Sequence, residues 1–153
     1  MLPFKKILCP TDFSQPSYKG VEMAVELAGH FSAELLLINV ITPVYPGGAP
    51  GIPAHYKEAE YYRAMEQSAR SSMKEIRNNR VPATIKARSF VVTGDAVESI
   101  VAQAETENVD LVVMATHGWT GWRKLFLGSV TDKVLRSVSC PVLTVSETGS
   151  EPE

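Results

Sequence analysis

The fold this sequence predicts is an open α/β sheet of five parallel strands in the order 3-2-1-4-5, with four helices covering both faces in a three-layer arrangement. Three observations carry it. Apolar runs such as Glu34-Leu-Leu-Leu-Ile-Asn-Val-Ile41 lack polar alternation, as strands covered on both faces do. Between such runs lie segments with apolar residues at helical spacing, for example Val21, Ala24, Val25 and Ala28. The two patterns alternate along the chain, which calls for parallel pairing through right-handed crossovers.

The first strand spans Phe4 to Pro10, with Ile7, Leu8 and Cys9 contiguous and Pro10 forcing its end. It delivers Pro10-Thr11-Asp12-Phe13-Ser14 to a loop. Ser14 caps the helix that follows, Pro16 suits its first turn, and the buried stripe runs to about Gly29. Glu34 to Ile41 is the second, central strand. From Thr42 to Ala54 come Pro43, Pro46, Gly47, Gly48, Pro50, Gly51 and Pro53, which hold neither helix nor ladder. That stretch reads as a loop, either a lid over a site or a plain surface excursion. Tyr56 to Asn79 sets Tyr62, Met65, Ala69, Met73 and Ile76 at helical spacing as a packing stripe, with Arg63, Glu66, Arg70, Lys74 and Arg77 on a solvated face.

Thr84 to Thr93 alternates in part and suits an edge or near-edge strand. Gly94-Asp95 turns the chain and caps a helix striped by Val97, Ile100, Val101 and Ala104 and ended by Asn108. Leu111 to Ala115 is the fourth strand. Ser129, with Asp132 three residues on, reads as a capping-box variant opening the last helix, whose Val130, Val134 and Val138 face inward. Pro141 to Val145 closes the sheet. Residues 1–146 then form one domain and 147–153 a polar, acidic, frayed tail.

A chain of 153 residues with 44% hydrophobic content suits one compact core. A formal net charge of -2 and a pI near 5.9 argue against a duplex nucleic-acid binder, which needs Lys and Arg massed on one face. Cys9 and Cys140 form neither a C-x-x-C pair nor a zinc pattern with His30, His55 or His117, and read as reduced, packed thiols. No secretory leader opens the chain, and its apolar runs are too short to cross a bilayer. A cytoplasmic location away from membranes is the expectation.

In open parallel sheets, ligands sit outside the carboxyl ends of the strands where the winding direction reverses. With the first strand central, that point lies between strands one and four, whose carboxyl ends are Pro10-Thr11-Asp12 and Ala115-Thr116-His117-Gly118. The second of these begins a loop marked by Thr, Gly, Arg and Lys that ends at Gly128-Ser129 on a helix N-terminus. Free backbone N–H groups and the helix dipole converge there, which suits phosphate. The chain contains neither G-x-x-x-x-G-K-[ST] nor G-x-G-x-x-G, so the usual nucleotide loops do not account for the crevice.

Ala115-x-x-Gly118-x9-Gly128-Ser129 instead resembles the G-x-x-G-x9-G-[ST] signature of the universal stress protein family. The resemblance spans nearly the whole chain through Ile7-Leu-Cys-Pro-Thr-Asp-Phe-Ser, Gly94-Asp-Ala and Cys140-Pro-Val-Leu-Thr-Val, in order and at family-like spacing. It implies a Rossmann-like, adenine nucleotide alpha hydrolase-like fold and ATP as the ligand, with or without Mg. It also implies that Pro10, Thr11 and Asp12 meet the adenosine, that the Val40 backbone meets adenine, and that Met114 lies beside the same pocket. Gly118, Gly128, Ser129, Val130 and Thr131 would take the ribose-phosphate region and the phosphates, and strand five (Val142, Leu143, Thr144, Val145) would join a homodimer.

Ala115 departs from the pattern, standing where the first glycine is usual; its methyl is a small intrusion at negative φ and a clash at positive φ. His117 suits a phosphate contact, a base or an exposed polar group. Arg123 and Lys124 suit phosphate neutralisation or plain solvation, and Trp119 and Trp122 a contact with a base, a second subunit or a neighbouring loop. The resulting expectation is a stress-response regulatory module that binds ATP. Its alternatives are a slow ATPase or phosphotransfer enzyme and a nucleotide-free interaction dimer. The sequence contains no clear acidic metal cluster or catalytic pair, only Asp12 and His117 as candidates.

Overall fold

The computed structural model describes residues 2–43, 58–116 and 128–146. The elements are β1 (Lys6–Pro10), α1 (Gln15–Phe31), β2 (Glu34–Ile41), α2 (Glu58–Arg80), β3 (Ala87–Thr93), α3 (Ala96–Thr106), β4 (Leu111–Ala115), α4 (Ser129–Ser137) and β5 (Val142–Val145). All strand pairs are parallel, as the alternating patterns predict, and the sheet order is β3-β2-β1-β4-β5, with the first strand central as expected.

Because successive strand residues point to opposite faces, the apolar runs divide into two cores. Ile7, Cys9, Leu35, Leu37 and Val113 pack with Val21, Ala24 and Ala28 of α1 and Met73 and Ile76 of α2. Leu8, Leu36, Ile38, Val112 and Met114 pack on the other face with Ile100 and Ala104 of α3 and Val134 of α4. This two-sided burial explains why β2 reads as an unbroken apolar run.

Several boundaries differ from the sequence reading. Helix α1 passes through Gly29 and ends at Phe31, because Ser32 supplies the left-handed closing position (φ 54) and donates its N–H to the Ala28 carbonyl. Ser14 caps its start, accepting from Ser17 N–H at 3.3 Å. In α2 the packing stripe begins later than its spacing suggests. Ala69, Met73 and Ile76 are buried, whereas Met65 is 39% exposed. Asp95 caps α3 as expected, accepting from Glu98 N–H at 3.0 Å, and Asn108 follows the helix with φ 52. The stretch 44–57 and the tail 147–153 fall outside the described residues, and with them the lid and frayed-tail expectations.

Both cysteines are free. Burial pushes the Cys9 thiol up to about 12, so it stays protonated and packs as an apolar group. Cys140 is only half-buried and precedes β5 rather than lying within it.

At the amino ends of the strands, charge is paired. The Arg88 guanidinium binds Glu107 (2.6 and 3.0 Å) and Glu34 (2.9 Å), while Lys6 and Lys86 reach Glu107 (3.5 Å) and Glu34 (3.1 Å). Hydrogen bonds from Arg88 are the main cause holding both carboxyls below their ordinary range. Such groups contribute stability that is fully present above the unfolded carboxyl pKa of about 4.3 and is lost as pH falls through the depressed folded values. Arg88→Ala should therefore melt lower than wild type at pH 7, with the gap narrowing as pH drops below about 4. Thermal melts across that range test it; a gap independent of pH would mean that Arg88 acts through packing alone.

Candidate functional site

The crevice lies at the carboxyl ends of the strands on the α3/α4 face. Alternation sends Pro10 of β1, Ile38 and Val40 of β2 and Met114 of β4 to that face. Ile100 of α3 and Val130 of α4 complete an apolar floor, in a cavity of about 300 Å³, at the lower end of the range for small-molecule sites. Its rim is polar, formed by Thr11, Asp12, Ser17, Thr42, Thr116, Gly128, Ser129 and Thr131, with Ala96 and Ala115 between.

Ten of the twelve residues singled out from the sequence line this one cavity: Pro10, Thr11, Asp12, Val40, Met114, Ala115, Gly128, Ser129, Val130 and Thr131. His117 and Gly118 lie outside the described residues, as do Trp119, Trp122, Arg123 and Lys124. Sequence reading passed over Ser17, Ile38, Thr42, Ala96, Ile100 and Thr116. Three of these had a usable signal. Ile38 is two residues before Val40 and so shares its face, and Ala96 and Ile100 sit at i, i+4 on the helix that leaves the β3 end.

The Pro10–Ser14 turn is fixed from within. Thr11 N–H donates to the Ile38 carbonyl at 2.9 Å. The Thr11 hydroxyl oxygen accepts from Phe13 N–H at 3.1 Å and lies 2.9 Å from Ser17 Oγ. Since the Ser17 hydroxyl donates to the Ser14 carbonyl at 2.9 Å, the proton between the two hydroxyls belongs to Thr11. Phe13 is thereby held at φ 65, a left-handed conformation that bulky side chains seldom adopt. Asp12 is exposed, its Oδ1 accepting from Ser14 N–H at 3.0 Å in an Asx turn. It is the only carboxylate among the described lining residues.

The other wall corrects one expectation. Gly128, not Ser129, is the N-cap of α4, and no side chain caps the helix. Asp132 does not reach back but pairs with Arg136 at 3.1 Å. The helix start is instead tied to the end of β4. Gly128 N–H donates to the Thr116 carbonyl at 2.7 Å, and the Thr131 hydroxyl donates to the Ala115 carbonyl at 3.0 Å. With Asp132 N–H bonded to the Gly128 carbonyl at 2.9 Å, the N–H groups of Ser129, Val130 and Thr131 are those without an intrahelical partner. Gly128 is demanded by space rather than by conformation. Its φ of -56 suits any residue, but a Cβ would stand 2.7 Å from the Thr116 oxygen.

Ala115 ends β4 and is not among the residues with positive φ, so its methyl is tolerated. Alternation from Val113 and Met114 directs it to the α1 face, away from the apolar floor. On that side α1 passes close to the strand backbone at Gly20, where a Cβ would lie 3.2 Å from the Ala115 nitrogen.

The crevice thus has an apolar floor, a carboxylate at one rim and a helix N-terminus at the other. Among the described lining residues there is no Lys or Arg, and among all described residues no cluster of three metal-ligating side chains. No helix among them is long and apolar enough to cross a membrane.

An open parallel sheet with a crevice at its switch point defines a doubly wound α/β protein of the Rossmann-like class. The family model "Universal stress protein family" matches residues 3–146, and the chain belongs to that family. Universal stress protein MJ0531 of Methanocaldococcus jannaschii is 31% identical over 148 residues, covering 97% of this chain and 85% of the relative. Among solved structures, protein MJ0577 of the same organism shares 32% identity with a TM-score of 0.77, covering 96% of this chain and 99% of the other. A universal stress family protein of Arabidopsis thaliana with AMP bound has the same fold at 16% identity and a TM-score of 0.58, covering 97% and 95%.

Proposed function

We propose that this protein is a cytoplasmic stress-response module that binds ATP in the crevice between the β1 and β4 ends and acts as a nucleotide-dependent homodimer. Fold alone does not assign a ligand. The observation that carries the reading is the pairing, in one cavity, of an apolar floor sized for a base with the first N–H groups of α4, which have no intrahelical partner. The Arabidopsis relative, which holds AMP, lends support at the level of the nucleoside.

On this reading adenine lies over Ile38, Val40 and Met114, with the Val40 backbone at its edge. Pro10 and the Thr11-Asp12 turn meet the sugar, where the Asp12 carboxylate accepts from ribose hydroxyls. Ser129, Val130 and Thr131 meet phosphate through backbone N–H groups, and Gly118 and His117, outside the described residues, are proposed as further contacts of the ribose-phosphate region. Thr11 and Thr131 commit their hydroxyl protons to the scaffold, so Ser129 supplies the hydroxyl donor. A bound Mg would neutralise phosphate charge, with Asp12 the one carboxylate among the described lining residues.

The proposed dimer pairs Val142, Leu143, Thr144 and Val145 of two copies. The two sheet edges differ in a way that favours β5. The β3 edge carries Arg88, whereas on β5 Leu143 is 38% exposed.

Heat-denatured purified protein should release ATP or a related adenine nucleotide, identified by mass spectrometry. In titration ATP should bind about tenfold more tightly than AMP, since charge-assisted bonds to the extra phosphates add about 1.5–3 kcal/mol each at most. Equal affinities would confine binding to the nucleoside end, and no release with no titratable binding would end the reading. A monomer throughout the micromolar range by light scattering would remove the dimer.

A further inference from the structure

We propose that Asn39, which does not line the crevice, is a positioning residue for it; this rests on the adenine-nucleotide reading above. Asn39 is the one polar residue inside the apolar run of β2, and it is 7% exposed. Alternation places it on the α1/α2 face, opposite Ile38 and Val40, whose side chains reach the crevice. Its Nδ2 donates to the Thr11 carbonyl at 2.9 Å across 28 residues of sequence. A polar side chain in a core strand costs stability unless bonded, and an apolar residue would fill the same space without that demand.

The bond completes the fixing of Thr11. Its N–H is held by Ile38, its carbonyl by Asn39, and its hydroxyl by Ser17 and Phe13 N–H. Two successive residues of β2 thus hold the first residue after β1, one through its N–H and the other through its carbonyl. Asp12 follows directly, and Phe13 is kept left-handed by the same residue. Asn39 therefore sets where Asp12 stands without touching ligand.

The test combines hydrogen exchange on the nucleotide-free full chain with AMP and ATP titrations for wild type, Asn39→Ala, Asp12→Ala and their double variant. Leu35→Ala, a core truncation at the far end of the same strand, serves as the control for general destabilisation. In Asn39→Ala, exchange at Phe13 and Ser14 should accelerate about tenfold beyond the change seen elsewhere in the chain. Affinity for AMP and ATP should fall by equal factors, about tenfold, and less than additively with Asp12→Ala. Leu35→Ala should raise exchange broadly and leave both affinities within about twofold once folded protein is counted. Exchange at Phe13 and Ser14 that rises only in step with the rest of the chain, or affinities unchanged in Asn39→Ala, would overturn the proposal. A wild-type chain that binds neither nucleotide overturns the binding reading itself, whatever the exchange shows.

Discussion

Gly128→Val should lower ATP affinity by about tenfold or more and destabilise the fold by about 1–3 kcal/mol, the usual cost of overpacking. The added Cβ meets a backbone oxygen 2.7 Å away, which cannot rotate aside as a side chain would. Relief requires α4 to move off the end of β4, breaking the Gly128–Thr116 bond and drawing the Ser129 to Thr131 N–H groups away from the crevice. Titration together with a denaturant melt separates the two effects. AMP affinity should suffer less than ATP affinity, because the base and sugar rest on the other wall. A variant that keeps full ATP affinity would show that the start of α4 takes no part in binding.

Leu36→Ala and Leu37→Ala should each cost about 2–5 kcal/mol, lowering the melting temperature by roughly 10 °C for a domain of this size. Both side chains are fully buried, one in each core. The similar penalties follow from a central strand with no solvent face. If one truncation were nearly neutral, the helix layer over that face would have to be loosely packed. Denaturant unfolding curves with unchanged slope decide between these outcomes.

The fold was legible because β1, β2 and β4 are short enough to be unbroken apolar runs and the helices between them carry clear stripes. Legibility failed where stability comes from contacts rather than pattern. Gly29 resembles a helix stop, but only the left-handed Ser32 shows where the chain turns. Met65 fits the α2 stripe by spacing yet lies beyond the core that Ala69, Met73 and Ile76 enter.

At the candidate site, both rims were visible as polar turns at the ends of apolar runs. Ser129 and Asp132 look like a capping pair because sequence records residue types and not the donor at Thr131, which anchors the helix to Ala115 instead. Ser17 and Asn39 were unreadable for a related reason. Their partners are 6 and 28 residues away, and a bond across two elements leaves no periodic trace. Asn39 did leave one sign, a lone amide in an apolar strand, which is costly enough to need a reason.

The approach of α1 to β4 has a consequence for how this site can change over time. Gly20 has no side chain where α1 crosses the end of β4, and an added Cβ there would stand 3.2 Å from the Ala115 nitrogen and 3.6 Å from the Met114 carbonyl carbon. A side chain at position 20 would press from behind the crevice on strand backbone, which cannot rotate aside. Glycine at position 20 is therefore required whether Gly or Ala stands at 115. Lineages can exchange Gly for Ala at 115, erasing the first glycine by which the pocket is recognised, while Gly at position 20 keeps the strand end behind it in place.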